Sequence, residues 1–188
     1  MRIISLTLAL AMLLVALAAA PAGANMVLKM DLGDLAQRAD TIFRGTVLSV
    51  EPGAVMAGGA ELPTVTYRLR VDEAFKGDYA DTKGVAEITM LGTIKQQEPS
   101  GSAVRFSRLP ELPVLVRGGE YVVFTTAPSP IGLSTTVGLG QGSFKIYFTA
   151  DRQEMAVNEI DNIGLSETIN GPVPYTTLAA AIEQEVGQ

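Results

Sequence analysis

The segment ADTIFRGTVLSV, from Ala39 to Val50, constrains the fold more than any other part of the chain. It has the length of a β-strand, and in an extended chain successive side chains point to opposite sides. Ile42 and Leu48 then share one face, while Phe43 and Val47 share the other. A strand with one face in water would keep that face polar. The segment therefore belongs to a sheet that is covered on both sides.

Further strands are predicted along the chain from alternating apolar residues. The cleanest alternation is TVTYRLRV over 64–71, and two other strands are predicted over 85–91 and 120–126. A hairpin is expected over 142–157, turning near Asp151 and Arg152. The chain is thus predicted to be mainly β.

Helices and loops are predicted between and around these strands. Asp31 is a suitable N-cap for a short helix that leads into the first strand. An amphipathic helix is expected over 174–186, with Thr176 or Thr177 as its cap. Two stretches are predicted to be loops, namely the glycine-rich residues 52–63 and the proline- and serine-rich residues 92–118.

A glycine in the middle of the first strand, Gly45, narrows the choice of sheet. Glycine is common where a strand bends sharply enough to pair with neighbours on both sides, since no side chain blocks the approach. We therefore expect a five-stranded OB-like barrel with a short N-terminal helix, an added β-hairpin and a C-terminal amphipathic helix. A β-sandwich is the alternative.

The first 24 residues have the features of a secretory signal peptide. Arg2 precedes an uncharged apolar run over 3–20, and Pro21 is followed by the small residues Ala22 to Ala24. Retention of this segment as a membrane anchor is the alternative. We expect cleavage, which gives a single domain over residues 25–188 with no stable membrane span, exported to the periplasm or the extracellular space.

The composition of residues 25–188 limits the partners of this domain. Without Arg2 the chain has 13 basic and 20 acidic residues, a net charge of −7. An acidic surface disfavours binding to nucleic acid or anionic lipid. The chain has no cysteine, which excludes a disulfide framework and is typical of bacterial rather than animal export.

Most catalytic chemistries are excluded by residue type. The absence of histidine and cysteine removes the Ser-His-Asp triad, thiol nucleophiles and the usual zinc ligands. Ser143 and Lys145 do not form the S-x-x-K pattern of a Ser-Lys dyad. Residues 158–162 lack the spaced acidic pattern of a calcium loop, so a solvated turn is predicted there. We expect no enzyme activity, no metal and no cofactor.

Three segments together resemble a known family. ADTIFRGTVLSVE, TYRLRVDEAFKGD and VRGGEYVVF are similar, in this order, to landmarks in the inhibitory domain of tissue inhibitors of metalloproteinases and in netrin-like modules. The shared features are Ala39-Asp40, Phe75-Lys76-Gly77 and Gly118-Gly119-Glu120-Tyr121, and the resemblance covers about residues 39–126. It implies an OB-fold barrel. In that family the first mature residue is a cysteine that chelates the protease zinc, whereas the predicted mature start here is Asn25, so the inhibitory role is not transferred.

The expected function is that of a secreted, non-enzymatic binding module with a protein or glycan partner. The partner would bind the barrel face or the loop over 92–118. Candidate interaction residues are Asn25, Met26, Arg68 and Arg70. Two alternatives stay open: a metalloprotease inhibitor with a cysteine-free wedge at Asn25 and Met26, and a hydrolase that uses two carboxylates in a cleft.

Overall fold

The computed structural model describes residues 28–79, 82–95, 105–107 and 112–187. These ranges contain α1 (Leu32–Arg38), β1 (Thr41–Ala57), β2 (Ala60–Lys76), β3 (Val85–Leu91), β4 (Thr93–Lys95), β5 (Arg105–Ser107), β6 (Glu120–Thr125), a 3-10 turn (Leu139–Gly142), β7 (Ser143–Phe148), β8 (Glu154–Val157), β9 (Val173–Pro174) and α2 (Tyr175–Val186). The prediction of a mainly β chain with a short helix before the sheet and a second helix after it is confirmed.

Seven strands form one antiparallel sheet in the order β3-β2-β1-β6-β7-β8-β9, and β4 pairs with β5 separately. The hairpin of β7 and β8 has its turn at Asp151 and Arg152, as predicted. None of the helices in the described ranges is long and apolar enough to cross a membrane.

The predicted barrel does not close, and its predicted number of strands, five, is wrong. The sheet has seven strands and is open, with β3 and β9 as its edges. The physical reason is that β7 pairs with β8, and β8 pairs with β9, so the sheet extends sideways. A contact across the gap comes from the segment before β7, where Ser134 N donates to the Thr89 carbonyl of β3 at 2.9 Å.

Both faces of the sheet contribute to an apolar core, as the first strand predicted, although Leu48 of that strand is 42% exposed. One face packs against α1 and α2 and forms the helix-side core, which includes Ile42, Phe124, Phe144, Leu178 and Ile182. The other face forms the inner core, where β1, β2, β3 and β6 enclose apolar side chains. Its members include Phe43, Val47, Tyr67, Leu69, Ile88, Leu115 and Val123. Neighbouring residues of β1 therefore enter different cores.

Gly45 lies where β1 changes register against β2. A register shift separates Arg44 from Gly45, while the same residues pair continuously with β6 on the other side. A Cβ atom at Gly45 would lie 2.6 Å from the carbonyl oxygen of Arg70, which is part of the backbone and cannot rotate away. Only glycine fits this approach, so the predicted role of Gly45 at a strand irregularity is confirmed.

The predicted loop over 52–63 is instead a β-ribbon, so that prediction is wrong. β1 and β2 continue as a two-stranded extension to a tight turn at Gly58 and Gly59, whose φ angles are 59° and 81°. Beyond Val47, which still bonds to the backbone of Gly118 and Gly119, no strand among the described residues pairs with the other side of the extension of β1. Pro52 is tolerated on such a strand because a ribbon edge needs no amide donor.

The stretch over 92–118, predicted to be a loop because of its prolines and serines, also contains more regular structure than predicted. β4 and β5 form a short two-stranded sheet within this stretch, and Leu115 is fully buried in the inner core. The helix α2 begins at Tyr175, just before the predicted caps, and Pro174 occupies its N-cap position without a side-chain hydrogen bond.

Candidate functional site

A group of charged side chains lies near the start of α2. Arg44 donates from Nε to Glu120 Oε1 at 2.6 Å and from its terminal nitrogens to the Glu154 carboxylate at 2.5 and 3.2 Å. Its guanidinium carbon lies 4.1 Å from the centre of the Tyr175 ring, a cation–π contact. The Tyr175 hydroxyl donates to Glu73. These five residues, the Arg44 network, connect four strands with α2.

Burial and pairing have opposite effects on the pKa of Arg44. Burial lowers the pKa, but the hydrogen bonds with Glu120, Glu154 and Tyr175 outweigh it and raise the pKa above its ordinary value. Burial raises the pKa of Tyr175, and Glu73 raises it further, while Arg44 opposes the rise. Both groups keep their protons near neutral pH, so neither is suited to proton transfer there.

The Arg44 network is therefore a structural connection. The guanidinium is shared by two carboxylates and an aromatic face, which leaves little of it available to a ligand. Tyr175 is the first residue of α2 and is also part of the helix-side core. The network fixes the helix to the sheet at the point where the helix starts.

The segment over 158–162 is a turn, as predicted, and its acidic residues Glu159 and Asp161 are exposed, but Asn158 and Asn162 are buried and form an amide network. Asn162 is fully buried and its side-chain nitrogen donates to the carbonyls of Ala156 and Gly171. Asn158 Oδ1 accepts from the amides of Ile160 and Asn162. The side-chain oxygens of both asparagines thus accept from backbone amides, and no group of three or more acidic residues that could hold a metal ion occurs in the described residues.

The two candidate arginines of β2 lie in different surroundings. Arg70 donates to Asp72 at 2.7 Å and to the Thr46 hydroxyl at 3.2 Å, on the exposed side of the sheet. Burial raises the pKa of Asp72, but the hydrogen bonds from Arg70 and Thr46 outweigh it and leave the pKa below its ordinary value. Arg68 instead lies at the rim of a cleft. The sequence pattern gives the two arginines the same predicted role, whereas in the structure only Arg68 lines this cleft.

This cleft, which we name the mouth cleft, has a volume of about 500 Å³ and opens where the sheet fails to close. One wall is β3 over 85–88, and the facing wall carries Thr125, Thr126 and Ser134. Asp40, Arg68, Asp78 and Tyr79 also line it. Phe43 and Ile88 of the inner core contribute to its floor. It has the size of a small ligand site.

Tyr79 contributes an unusual polar group to the mouth cleft. Its ring packs edge-on against Phe43, with the centroids 5.2 Å apart. Its hydroxyl is buried and has no hydrogen-bond partner among the described residues. Burial raises the pKa of Tyr79, and the nearby Thr41 hydroxyl offsets part of the rise. Thr41 also forms a hydrogen bond with the Thr125 hydroxyl at 2.6 Å.

The charges around the mouth cleft are acidic and exposed. Three carboxylates, from Asp40, Asp78 and Glu87, line it together with the guanidinium of Arg68. The closest approach of Arg68 to Glu87 is 3.8 Å, and their side chains are 52% and 60% exposed. An ion pair of this kind is weak and easily exchanged for another partner.

The predicted mature start, with Asn25 and Met26, lies outside the described residues. The adjoining segment is held by one side chain, since Gln141 Oε1 accepts from Met30 N at 3.0 Å and Gln141 Nε2 donates to Leu28 O at 3.0 Å. A second cleft of about 430 Å³ lies beside it, lined by Lys29 and the 3-10 turn among others.

Residues of the mouth cleft other than Arg68 were not predicted as site residues. Asp40 and Tyr79 follow the ends of elements, at the start of β1 and just after β2, and Ser134 lies between β6 and β7. Only the strand order could have indicated these residues, because it shows that the ends of β1, β3 and β6 lie close together in space. Comparison with protein family models, with curated proteins and with solved structures finds no match.

Proposed function

We propose that this protein is an exported, non-enzymatic binding module and that the mouth cleft is its ligand-binding surface. The observation that carries this proposal is the cleft itself, which combines an apolar floor with polar walls and an unpartnered Tyr79 hydroxyl. Ligand sites in proteins typically combine apolar area with a few polar groups that orient the ligand. In the Arg44 network, by contrast, the charged groups of Arg44, Glu120 and Glu154 pair with one another.

The architecture that best explains this cleft is an opened OB-like barrel. β1 pairs with β2 and with β6, the fourth of the long strands, which are the two partners expected of the first strand in such a barrel. The hydrogen bond from Ser134 to Thr89 spans the gap where a closed barrel would continue. OB folds bind ligands on the face of strands two and three and on nearby loops, and the contribution of Arg68 of β2 and of residues 85–88 of β3 to the mouth cleft supports this comparison.

A binding role is favoured over a carboxylate-based hydrolase by solvent exposure. A catalytic acid needs a carboxyl whose pKa is raised by an apolar, desolvated setting. Asp40, Asp78 and Glu87 are all exposed at the rim of the cleft. Their position suits the attraction of a ligand more than the transfer of a proton.

The test compares two variants with the wild-type protein. Pro128 is exposed and lines the cleft, so Pro128→Trp places an indole over the opening, whereas Pro172→Trp changes an exposed proline outside the cleft lining. Both variants and the wild type are immobilised and exposed to the exported protein fraction of the source cells and to a panel of neutral oligosaccharides. We expect a ligand that is retained by the wild type and by Pro172→Trp and lost by Pro128→Trp. Equal retention by all three would refute the cleft as the binding surface.

Metalloprotease inhibition is kept as a second candidate because of Gln141. An inhibitory wedge requires a segment that is fixed beside a loop, and the Gln141 amide fixes residues 28–30 beside the 3-10 turn. If this candidate is correct, the intact mature protein inhibits zinc endopeptidases and deletion of residues 25–27 abolishes inhibition. An intact protein that leaves such enzymes unaffected excludes it.

A further inference from the structure

The backbone of β3 offers hydrogen-bonding groups to the mouth cleft. β3 is an edge strand, paired with β2 in an unbroken register from Arg70↔Val85 to Thr64↔Leu91. In an antiparallel pair, the residues whose backbone groups point away from the partner strand alternate along the chain. The Thr89 carbonyl points away from β2, because it accepts from Ser134 N at 2.9 Å.

Glu87 shares this orientation because it lies two residues before Thr89 in the same strand. Its amide and carbonyl therefore point into the mouth cleft, next to its own carboxylate. The amide of Val85, two residues further back, is already occupied by the Thr82 carbonyl at 3.2 Å. The free edge is thus short. From Val85 to Ile88 it spans about 10 Å, at roughly 3.3 Å per residue, which suits three or four residues of an added strand.

We propose that the mouth cleft binds an extended, basic peptide segment of a partner protein, which adds to β3 as a strand. This inference rests on the proposed function and specifies the ligand class. Strand addition uses backbone hydrogen bonds for affinity and alternate side chains for specificity. The contact of Ser134 with Thr89 is a single bond of the same type made by the chain itself.

Charge complementarity identifies the peptide as basic. The described lining residues of the cleft include three carboxylates, from Asp40, Asp78 and Glu87, against one cation, Arg68, and Asp40 has no ion-pair partner among the described residues. The predicted mature chain carries a net charge of −7, which repels acidic ligands and attracts basic ones. A lysine or arginine of the peptide can pair with Glu87 at little cost, since the existing pair with Arg68 is long and solvated.

A neutral glycan suits the cleft less well. Sugar rings pack their C–H faces on exposed aromatic faces. The two rings at the cleft pack edge-on against each other, and Phe43 is almost fully buried. One ring is therefore buried and the other is half-buried, so the cleft has little open aromatic surface and backbone pairing with a peptide is the better match.

The experiment uses the mature protein and a fluorescein-labelled peptide of seven residues, blocked at both ends, with lysine alternating with valine or threonine. A second peptide is identical except that alternate backbone amides are methylated, which keeps the charge and removes the donors needed for strand pairing. Binding is measured by fluorescence anisotropy at low salt. We expect the methylated peptide to bind about tenfold more weakly or worse.

Two protein variants at one position separate backbone from side-chain effects. Glu87→Pro removes the amide that faces the cleft without removing a hydrogen bond to β2, because proline lacks only that donor. Glu87→Ala removes the carboxylate and keeps the amide. We expect a loss of about tenfold for Glu87→Pro and about threefold for Glu87→Ala. If Glu87→Pro fails to fold, the methylated peptide still decides the question.

Several outcomes overturn the inference. Equal binding of the two peptides means that charge alone holds them, and an unchanged affinity in Glu87→Pro excludes pairing with β3. If the lysine peptides do not bind but a neutral oligosaccharide does, and Pro128→Trp abolishes that binding, the cleft is a ligand site and strand addition is wrong. If every ligand retained by the wild type is also retained by Pro128→Trp, the proposed function itself fails.

Discussion

Two arginines on neighbouring strands of this sheet illustrate two uses of the same side chain. Arg44 in β1 is 16% exposed and binds two carboxylates at 2.5 and 2.6 Å, whereas Arg68 in β2 is 52% exposed and lies 3.8 Å from Glu87. The first guanidinium is desolvated and needs its partners. The second is solvated, and its ion pair is worth little. Burial, more than charge, separates an arginine with a structural role from one whose ion pair is easily exchanged.

The same contrast holds for the tyrosines beside them. Tyr175 donates its hydroxyl to Glu73 in the Arg44 network, while the buried hydroxyl of Tyr79 in the mouth cleft has no partner among the described residues. A native protein rarely leaves a buried polar group unsatisfied. The polar groups near α2 therefore have hydrogen-bond partners, whereas the mouth cleft contains a polar group without one among the described residues.

The largest difference is expected between Arg44→Ala and Arg68→Ala. Removal of Arg44 leaves Glu120 and Glu154 facing each other without a cation, which should lower the free energy of unfolding by about 3 kcal/mol. Removal of Arg68 should lower it by less than about 0.5 kcal/mol. Urea denaturation with the m-value checked for constancy measures both. Arg44→Lys, which keeps the charge but loses the bidentate geometry, should fall between them. Equal losses at the two sites would contradict the comparison.

Alkaline pH should weaken the fold through its buried tyrosines. Burial raises the pKa of Tyr67 to about 12 and also raises the pKa values of Tyr79, Tyr121 and Tyr175. Below pH of about 10 both the folded and the unfolded chains keep these protons, so stability is unaffected. Above it the unfolded chain loses protons that the folded chain retains. Each such tyrosine therefore costs roughly 1.4 kcal/mol per pH unit until its folded pKa is passed.

Tyr175→Phe isolates one of these contributions. The variant lacks one titrating hydroxyl, so its free energy of unfolding should fall less steeply between pH 10 and 12 than that of the wild type, by up to about 1.4 kcal/mol per pH unit. Urea denaturation at several pH values in this range checks it. Parallel curves for the two proteins would show that Tyr175 titrates normally in the folded state.

Local sequence patterns predicted most of the secondary structure but not how the sheet is completed. The short helix after Asp31, the strand over 85–91 and the strand irregularity at Gly45 depend on residues close to one another in the chain. Closure of a barrel depends instead on which edges find partners. The pairing of β8 with β9 involves only four residues, Met155, Ala156, Val173 and Pro174, and no local pattern indicates it.

The candidate site was only partly predictable for the same reason. Arg68 and Arg70 alternate with apolar residues, which correctly places both on the outer side of β2. Which arginine lies at a cleft depends on the loops after β2 and β6, and these meet only in three dimensions. The Arg44 network could not be predicted from local sequence patterns either, since Arg44 and Glu154 are 110 residues apart.

The smallest effects are expected from removal of single hydroxyl groups at neutral pH. Tyr175→Phe deletes a hydrogen bond to a carboxylate and should lower the free energy of unfolding by about 1–2 kcal/mol. Tyr79→Phe deletes a hydroxyl without a partner, so it should be neutral or slightly stabilising. Thermal or urea denaturation of the two variants gives the comparison directly. A clear loss of stability in Tyr79→Phe would mean that its hydroxyl is already satisfied within the fold. A neutral Tyr79→Phe that weakens ligand binding would instead place that hydroxyl in the binding surface, because the interaction it lacks in the free protein would then be supplied by the ligand.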